Sequence, residues 1–276
     1  MIGDVVGEPG LKIIEKELPG IIKDNNVDFT VVNGENSADG FGMSEESLKR
    51  IMAGGADVVT SGNHVWEKRP FWQILETNDV ILRPANYPVG TPGRGWLCLE
   101  KNNIAWIVIN LQGRELMTAI DCPFSVFDKI VKSLSNSASK YHSLFDHDMN
   151  SILSNVYPVI IVDFHAESSR EKEALGHYIN GRAALMAGTH THVQTADEQI
   201  LSKGTVYISD LGMTGISDSV IGMDAKICLE RTRKQVLYRM EPATQSQDGS
   251  ENKTSVQGII AEIDIETGKG ISVRRL

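Results

Sequence analysis

Short apolar runs alternate with amphipathic stretches along most of the chain. Phe29-Thr30-Val31-Val32 and Val58-Val59-Thr60 predict buried strands. Ile104–Ile109, Val159–Val162, Ala183–Met186 and Val206-Tyr207-Ile208 predict four more. Between the runs, Leu11–Leu18 places apolar side chains at 11, 13, 14 and 18, the spacing of one helix face. Ser44 predicts the cap of a second helix running to about Ala53 and stopped by Gly54-Gly55. Glu171–Ile179 predicts a third, ending near Gly181. Strand and helix in alternation imply a layered α/β fold. Near the end the pattern changes, and Gly258–Ile265, a turn at 267–270 and Ile271–Arg274 predict a β-hairpin at about 258–275. Residues 131–155, rich in Ser, Asn, Asp and His, read as a surface insertion, and the polar stretch 242–256 as a loop. No internal repeat or linker divides the chain, so residues 1–276 are read as a single domain.

Polar residues competent to bind metals follow these runs. Ile2 leads to Gly3-Asp4, and Phe29–Val32 to Asn33-Gly34-Glu35-Asn36. Val58–Thr60 leads to Ser61-Gly62-Asn63-His64. Ile160–Val162 leads to Asp163-Phe164-His165-Ala166-Glu167, and Ala183–Ala187 to Gly188-Thr189-His190-Thr191-His192. In α/β sheets the ligand crevice lies at the carboxyl ends of the strands, so five such loops can converge on one edge. Each has an ordinary reading when taken alone: Asp4 as a helix cap, Glu35-Asn36 as a turn, His190-Thr191-His192 as an incidental pair. Five clusters at five strand ends require five separate coincidences.

Carboxylates, amide oxygens and imidazoles together suit iron, manganese, zinc or cobalt better than calcium. Seven candidate ligands (Asp4, Glu35, Asn36, Asn63, His165, His190 and His192) exceed the needs of one ion with open positions and fit two ions sharing a carboxylate. Such a pair stabilises both the attacking and leaving oxygens of an in-line displacement at phosphorus. His177 reads as a helix-surface residue, and His142 and His147 as exposed.

Composition narrows the class further. Apolar residues make up 41% and charged residues 23%, values of an ordinary globular chain. The net charge of −9 disfavours generic binding to nucleic-acid backbones, so an anionic substrate needs a local cation, which metal ions supply. The three cysteines form no CxxC pair and lie away from the strand ends, which disfavours a disulfide framework and a thiolate zinc site. The apolar runs are too short to span a bilayer, and no secretory signal opens the chain, so the cytoplasm is the expected compartment. Neither a P-loop nor a Gly-x-Ser-x-Gly elbow is present.

The strings IGDVVGEPG, VVNGENSADGFGMS, TSGNHVWEKR, LRPANYPVGTPGRGW, INLQGR, DCPF, IVDFHAESSREKEALGHYINGR, GTHTHVQTAD and ISDLGMTG resemble the YmdB-type family of bacterial metallophosphoesterases, within the calcineurin-like superfamily. The resemblance runs from about residue 2 to about residue 224. It implies a four-layer α/β/β/α sandwich, a binuclear metal centre and phosphodiesterase activity on 2′,3′-cyclic and 3′,5′-cyclic nucleotides. Iron is the implied metal, with manganese and zinc as alternatives. Carried over by position, Asp4, Asn36 and His192 hold the first ion, while Asn63, His165 and His190 hold the second. Glu35 bridges them, and His64 is the proton donor to the leaving oxygen, which departs after attack by a hydroxide activated by the two ions. A small phosphodiester is the expected partner, without a membrane or a stable nucleic-acid complex, and a homo-oligomer is compatible with the family.

Two features depart from the broader superfamily: Gly3-Asp4-Val5-Val6 lacks the usual histidine of Gly-Asp-x-His, and Glu35 stands where a bridging Asp is usual. Only Met1-Ile2-Gly3 precede Asp4, which reads as too little for a central strand and suggests missing upstream residues. The insertion at 131–155 is longer than the family leads one to expect. Two rival functions share these residues, a binuclear phosphomonoesterase or nucleotidase, and a non-catalytic regulator that binds a nucleotide or RNA.

Overall fold

The structure is a computed structural model, and it describes residues 1–135, 158–244 and 253–276. Two sheets lie at its centre. In the first, β2 (Val31–Asn33) pairs in parallel with β3 (Val58–Thr60), and β1 (Asp4–Val5) pairs in parallel with β10 (Met213–Ile216), whose other neighbour is β11 (Thr254–Ser255). A parallel bridge between Ile2 and Val32 joins the two pairs. The second sheet has six strands in the order β4 (Trp96–Lys101), β5 (Ile104–Gln112), β6 (Val159–His165), β7 (Leu185–Thr189), β9 (Val206–Ile208) and β8 (Gln199–Ile200). Its four central strands are parallel and its two edge strands antiparallel.

Side chains alternate across a strand, and this alternation builds the layers. Val31 and Val58 of the first sheet meet Val108, Ile161, Leu185 and Val206 of the second in one apolar core. Their neighbours Val32 and Val59 face outward onto helices α1 (Gly7–Asp24), α2 (Glu45–Ala53) and α3 (Phe71–Thr77), meeting Leu11, Ile14, Leu48, Ile51 and Phe71. On the far side, Ile107, Ile109, Val162 and Met186 pack against α4 (Pro123–Ser135) and α5 (Ser169–Ile179) through Phe127, Ile130, Leu175 and Ile179. The result is the expected α/β/β/α order. One further helix, α6 (Ala225–Lys234), lies between β10 and β11 in the chain, and β12 (Ile259–Asp264) pairs antiparallel with β13 (Lys269–Arg275).

Several expectations need revision. The residues before Asp4 already take part in the first sheet: Ile2 donates to Val31 O, Asn33 donates to Ile2 O, and Gly3 donates to Gln257 O on the other side. The strand continues past Asp4, with Val6 donating to Thr214 O, so its length does not depend on residues before Asp4 alone. The first helix extends well beyond Leu11–Leu18, and its cap position, Val6, makes no side-chain cap bond. Asp4 is therefore not a helix cap. Residues 131–135 of the expected insertion belong to α4, and 136–155 lie outside the described residues. Ser44 caps α2 as expected, in a reciprocal capping box with Ser47.

Phe127 is fully buried between α4 and the six-stranded sheet, with the Arg182 guanidinium 4.9 Å from its ring centroid. Phe127→Ala removes a large core side chain and leaves a cavity, so it is expected to lower unfolding stability by about 3–5 kcal/mol. Urea unfolding checks this, and activity per folded molecule should be unchanged, because Phe127 lies on the face of the sheet away from the first sheet.

Candidate metal centre

The five polar loops meet at the carboxyl edge of the two sheets. β6 ends on His165, which is fully buried. Three lone-pair atoms surround its Nε2: Glu35 Oε1, Asn63 Oδ1 and His190 Nδ1, each at 3.0 Å. Glu35 comes from the loop after β2, Asn63 opens a short 3-10 helix after β3, and His190 directly follows β7. One proton cannot satisfy three such contacts. Donor atoms about 2.1 Å from an ion, at tetrahedral or octahedral angles, lie roughly 3.0–3.5 Å from one another. The observed spacings have that value.

A second group adjoins the first. The Asn36 amide Nδ2 lies 3.1 Å from His192 Nε2, 3.5 Å from Asp4 Oδ1 and 3.4 Å from Glu35 Oε1. Asn36 Oδ1 is buried without a hydrogen-bond partner. Oxygen and nitrogen of an amide are told apart only by their partners. Turned over, the Asn36 oxygen would join Asp4, Glu35 and His192 as a ligand. Glu35 Oε1 belongs to both groups. The donor set therefore fits metal binding on chemical grounds: acceptor atoms gather where hydrogen bonding cannot pair them all.

Surrounding bonds set each imidazole. The single Thr189 hydroxyl proton goes to Asp163 Oδ1 at 2.7 Å, so the His165 Nδ1–H donates to the Thr189 oxygen at 2.9 Å. In the neutral ring this leaves the Nε2 lone pair facing Glu35. Asp163 in turn accepts from the Thr60 hydroxyl and from Asn33 Nδ2 at 3.1 Å. Burial pushes the Asp163 carboxyl up to about 6. His192 Nδ1–H donates to Ile221 O at 2.8 Å, and Glu167 Oε2 lies 3.1 Å from His190 Nε2, so each presents its other nitrogen to the site.

Electrostatics agree with a cation at this place. Burial opposes ionisation of Asp4, but the hydrogen bond and charge of His192 hold its carboxyl well below the usual range. Burial also opposes protonation of His192, yet Asp4 outweighs it and lifts the imidazole to about 9. Burial, followed by the nearby His165, lowers His190 to about 4. The carboxylates demand positive charge here, and a metal ion supplies it without protonating the rings.

The backbone is shaped for close contact. A Cβ on Gly62 would stand 2.1 Å from the His165 ring, and one on Gly188 would stand 1.8 Å from Ser209 O. His190 and His192 have φ of 104° and 64°, a region uncommon for residues with side chains and frequent at functional sites.

All seven expected ligands thus lie in these two groups. His64 is adjacent but separate: its backbone N–H donates to Glu35 Oε2 at 3.1 Å, and its ring nitrogen Nδ1 lies 3.3 Å from Glu67 Oε1. His177 is exposed on α5, away from the cluster, and His142 and His147 fall outside the described residues. Sequence reasoning gave no role to Asp163, Thr189, Thr60 or Glu167. The first three sit on strands whose polar residues interrupt otherwise apolar runs, a signal open to notice. Glu167 lies in the strand-end cluster after Ile160–Val162, but nothing in the sequence singles it out as the partner of His190.

Known proteins align with the whole chain. The model of the family described as YmdB-like protein matches residues 1–276, farther than the expected limit near 224. A 2′,3′-cyclic-nucleotide 2′-phosphodiesterase of Bacillus subtilis (strain 168) is 38% identical over 275 residues, spanning 100% of this chain and 94% of that protein. A putative phosphatase/phosphodiesterase of Mycoplasma pneumoniae is 29% identical over 282 residues, spanning 100% of this chain and 90% of that one. The crystal structure of a hypothetical protein from Thermus thermophilus superposes with a TM-score of 0.83 at 33% identity, covering 100% of this chain and 96% of that one. A novel phosphatase from Mycoplasma pneumoniae gives 0.85 at 26% identity, covering 100% and 90%. No helix among the described residues is long and apolar enough to cross a membrane. Fold, strand-end residues and full-length similarity agree, and the chain belongs to the YmdB-like family.

Proposed function

We propose that this chain is a metal-dependent phosphodiesterase that hydrolyses cyclic nucleotides, with 2′,3′-cyclic phosphodiesters the first to test and 3′,5′-cyclic ones the second. The observation that carries the reading is the crowding of three lone-pair atoms at 3.0 Å around His165 Nε2. The name of the Bacillus subtilis relative supports the substrate class.

Asp4, Asn36 and His192 would hold one ion, Asn63, His165 and His190 the other, and Glu35 would touch both. Two ions held there supply Lewis acidity, which neutralises charge on the phosphoryl oxygens and acidifies water. The protein's part is orientation. Thr189 and Asp163 fix the His165 tautomer, and Glu167 turns His190 toward the site. His64 delivers a proton to the leaving oxygen. Iron is the metal of choice in this reading, with manganese and zinc as alternatives.

The test uses protein purified without chelators. Elemental analysis should find two ions per chain, and bis-p-nitrophenyl phosphate and 2′,3′-cyclic AMP should be hydrolysed faster than p-nitrophenyl phosphate. Faster monoester turnover would move the assignment to a phosphomonoesterase. Full activity after exhaustive chelation would sink the metal reading altogether.

A further inference from the structure

The segments ISDLGMTG and SREKEALGHYINGR contribute no expected ligand, yet Asp210 of the first and Lys172 of the second are charged residues deep in the protein. Asp210, from the first, and Lys172, from the second, are each 1% exposed and form an ion pair of 2.7 Å. A buried ion pair is a poor source of stability, because an apolar pair of similar volume often does as well or better. Its surroundings suggest another use.

Asp210 accepts four donors. Oδ2 takes Lys172 Nζ, the Thr191 N–H at 3.1 Å and the Thr191 hydroxyl at 2.8 Å. Oδ1 takes the Gly212 N–H at 2.9 Å. Only an ionised carboxylate can accept this set, since an amide would set N–H against N–H. Thr191 lies between His190 and His192, whose backbones both have positive φ. The preceding N–H, that of His190, is held by Asp4 Oδ2 at 3.3 Å. Two successive backbone N–H groups are therefore pinned by two carboxylates, Asp4 on β1 and Asp210 in the loop after β9. Gly212 carries the bond onward, because its carbonyl accepts the Asp4 N–H at 3.2 Å. Lys172 lies on α5, the helix that follows His165. The pair thus ties together the loops after β6, β7 and β9.

We propose that Asp210, charge-balanced by Lys172, is the positioning residue that holds Thr191 and so sets the directions in which His190 and His192 face the metal centre. Asp210 touches neither metal nor substrate and acts through the two histidines. This inference rests on the metal-centre reading above.

Two variants test it. Lys172→Met combined with Asp210→Leu removes both charges at similar volume, and Thr191→Val removes one donor alone. Each is compared with wild type by thermal melting, by cobalt(II) titration of the metal-free protein with its visible spectrum, and by amide hydrogen exchange over residues 188–193. The double variant should fold with a lower melting temperature, because the Thr191 and Gly212 donors lose their acceptor, and should bind cobalt roughly 10–100-fold more weakly, with an altered spectrum. Its exchange at 188–193 should be faster while α1 is unchanged. Thr191→Val should shift cobalt binding and exchange the same way by less. Wild-type cobalt binding, spectrum and exchange in a folded double variant would overturn the proposal. If that variant does not fold, wild-type behaviour of Thr191→Val overturns it. Should wild type itself bind no cobalt, the metal reading fails, and exchange at 188–193 alone decides the positioning role.

Discussion

Glu35→Gln is expected to strip the protein of metal and lower kcat/KM by on the order of 10³-fold or more. Lewis-acid stabilisation by bound ions is worth several kcal/mol in the transition state, and each 1.36 kcal/mol is a factor of ten in rate. Glu35 Oε1 is within reach of both groups, 3.0 Å from His165 Nε2 and 3.4 Å from the Asn36 amide. Glutamine keeps the size but loses the charge that would offset the bound metal. Its N–H₂ would also face either those ligands or the His64 N–H that Oε2 accepts at 3.1 Å. Elemental analysis and diester hydrolysis are measured on the same preparation, with circular dichroism to verify folding. Two ions per chain and full activity in the variant would remove Glu35 from the bridging role and break the proposed centre.

His64→Ala should behave differently: turnover falls about 10²–10⁴-fold, the range for loss of a general acid, while metal content stays at the wild-type level. The ring lies outside both ligand groups, is about a quarter exposed at 26%, and is set between Glu67 and the edge of Phe41, whose centroid is 5.1 Å away. Leaving-group chemistry sharpens the test. A nitrophenolate departs without help, whereas a ribose alkoxide needs a proton. The loss should therefore be large for 2′,3′-cyclic AMP and small for bis-p-nitrophenyl phosphate. Equal losses on both substrates, or loss of metal, would show that His64 serves the centre in some other way.

The contrast between these variants rests on geometry that the chain only partly discloses. Glu35, Asn63 and His165 are far apart in sequence but share one mark, a place in the short polar stretch that follows an apolar run. Burial of the run and the sheet's edge make that mark local, so it is readable. The α2 cap at Ser44 is readable for the same reason, since Ser44 and Ser47 complete it between them. The first strand is not readable in this way, because a count of residues up to Asp4 misses its continuation to Val6. Its pairing with β2 on one side and β10 on the other comes from residues far along the chain, out to Gln257.

The amino-acid sequence by itself determined the alternation of strands and helices, a layered α/β class and the candidate polar residues at the strand ends, because period-two and helical patterns and strand-end chemistry are written in neighbouring residues. The four-layer order and the choice of seven candidate ligands came from the resemblance to a known family. Only the tertiary structure decided which lone pair each imidazole presents, which oxygen two groups share, and which buried charges hold the histidine loop. Those depend on Thr189, Asp163, Glu167, Ile221 and Asp210 reaching across strands. Hydrogen bonds of about 3 Å have no periodic trace along a chain, so such partners become visible only when the sheets place them side by side.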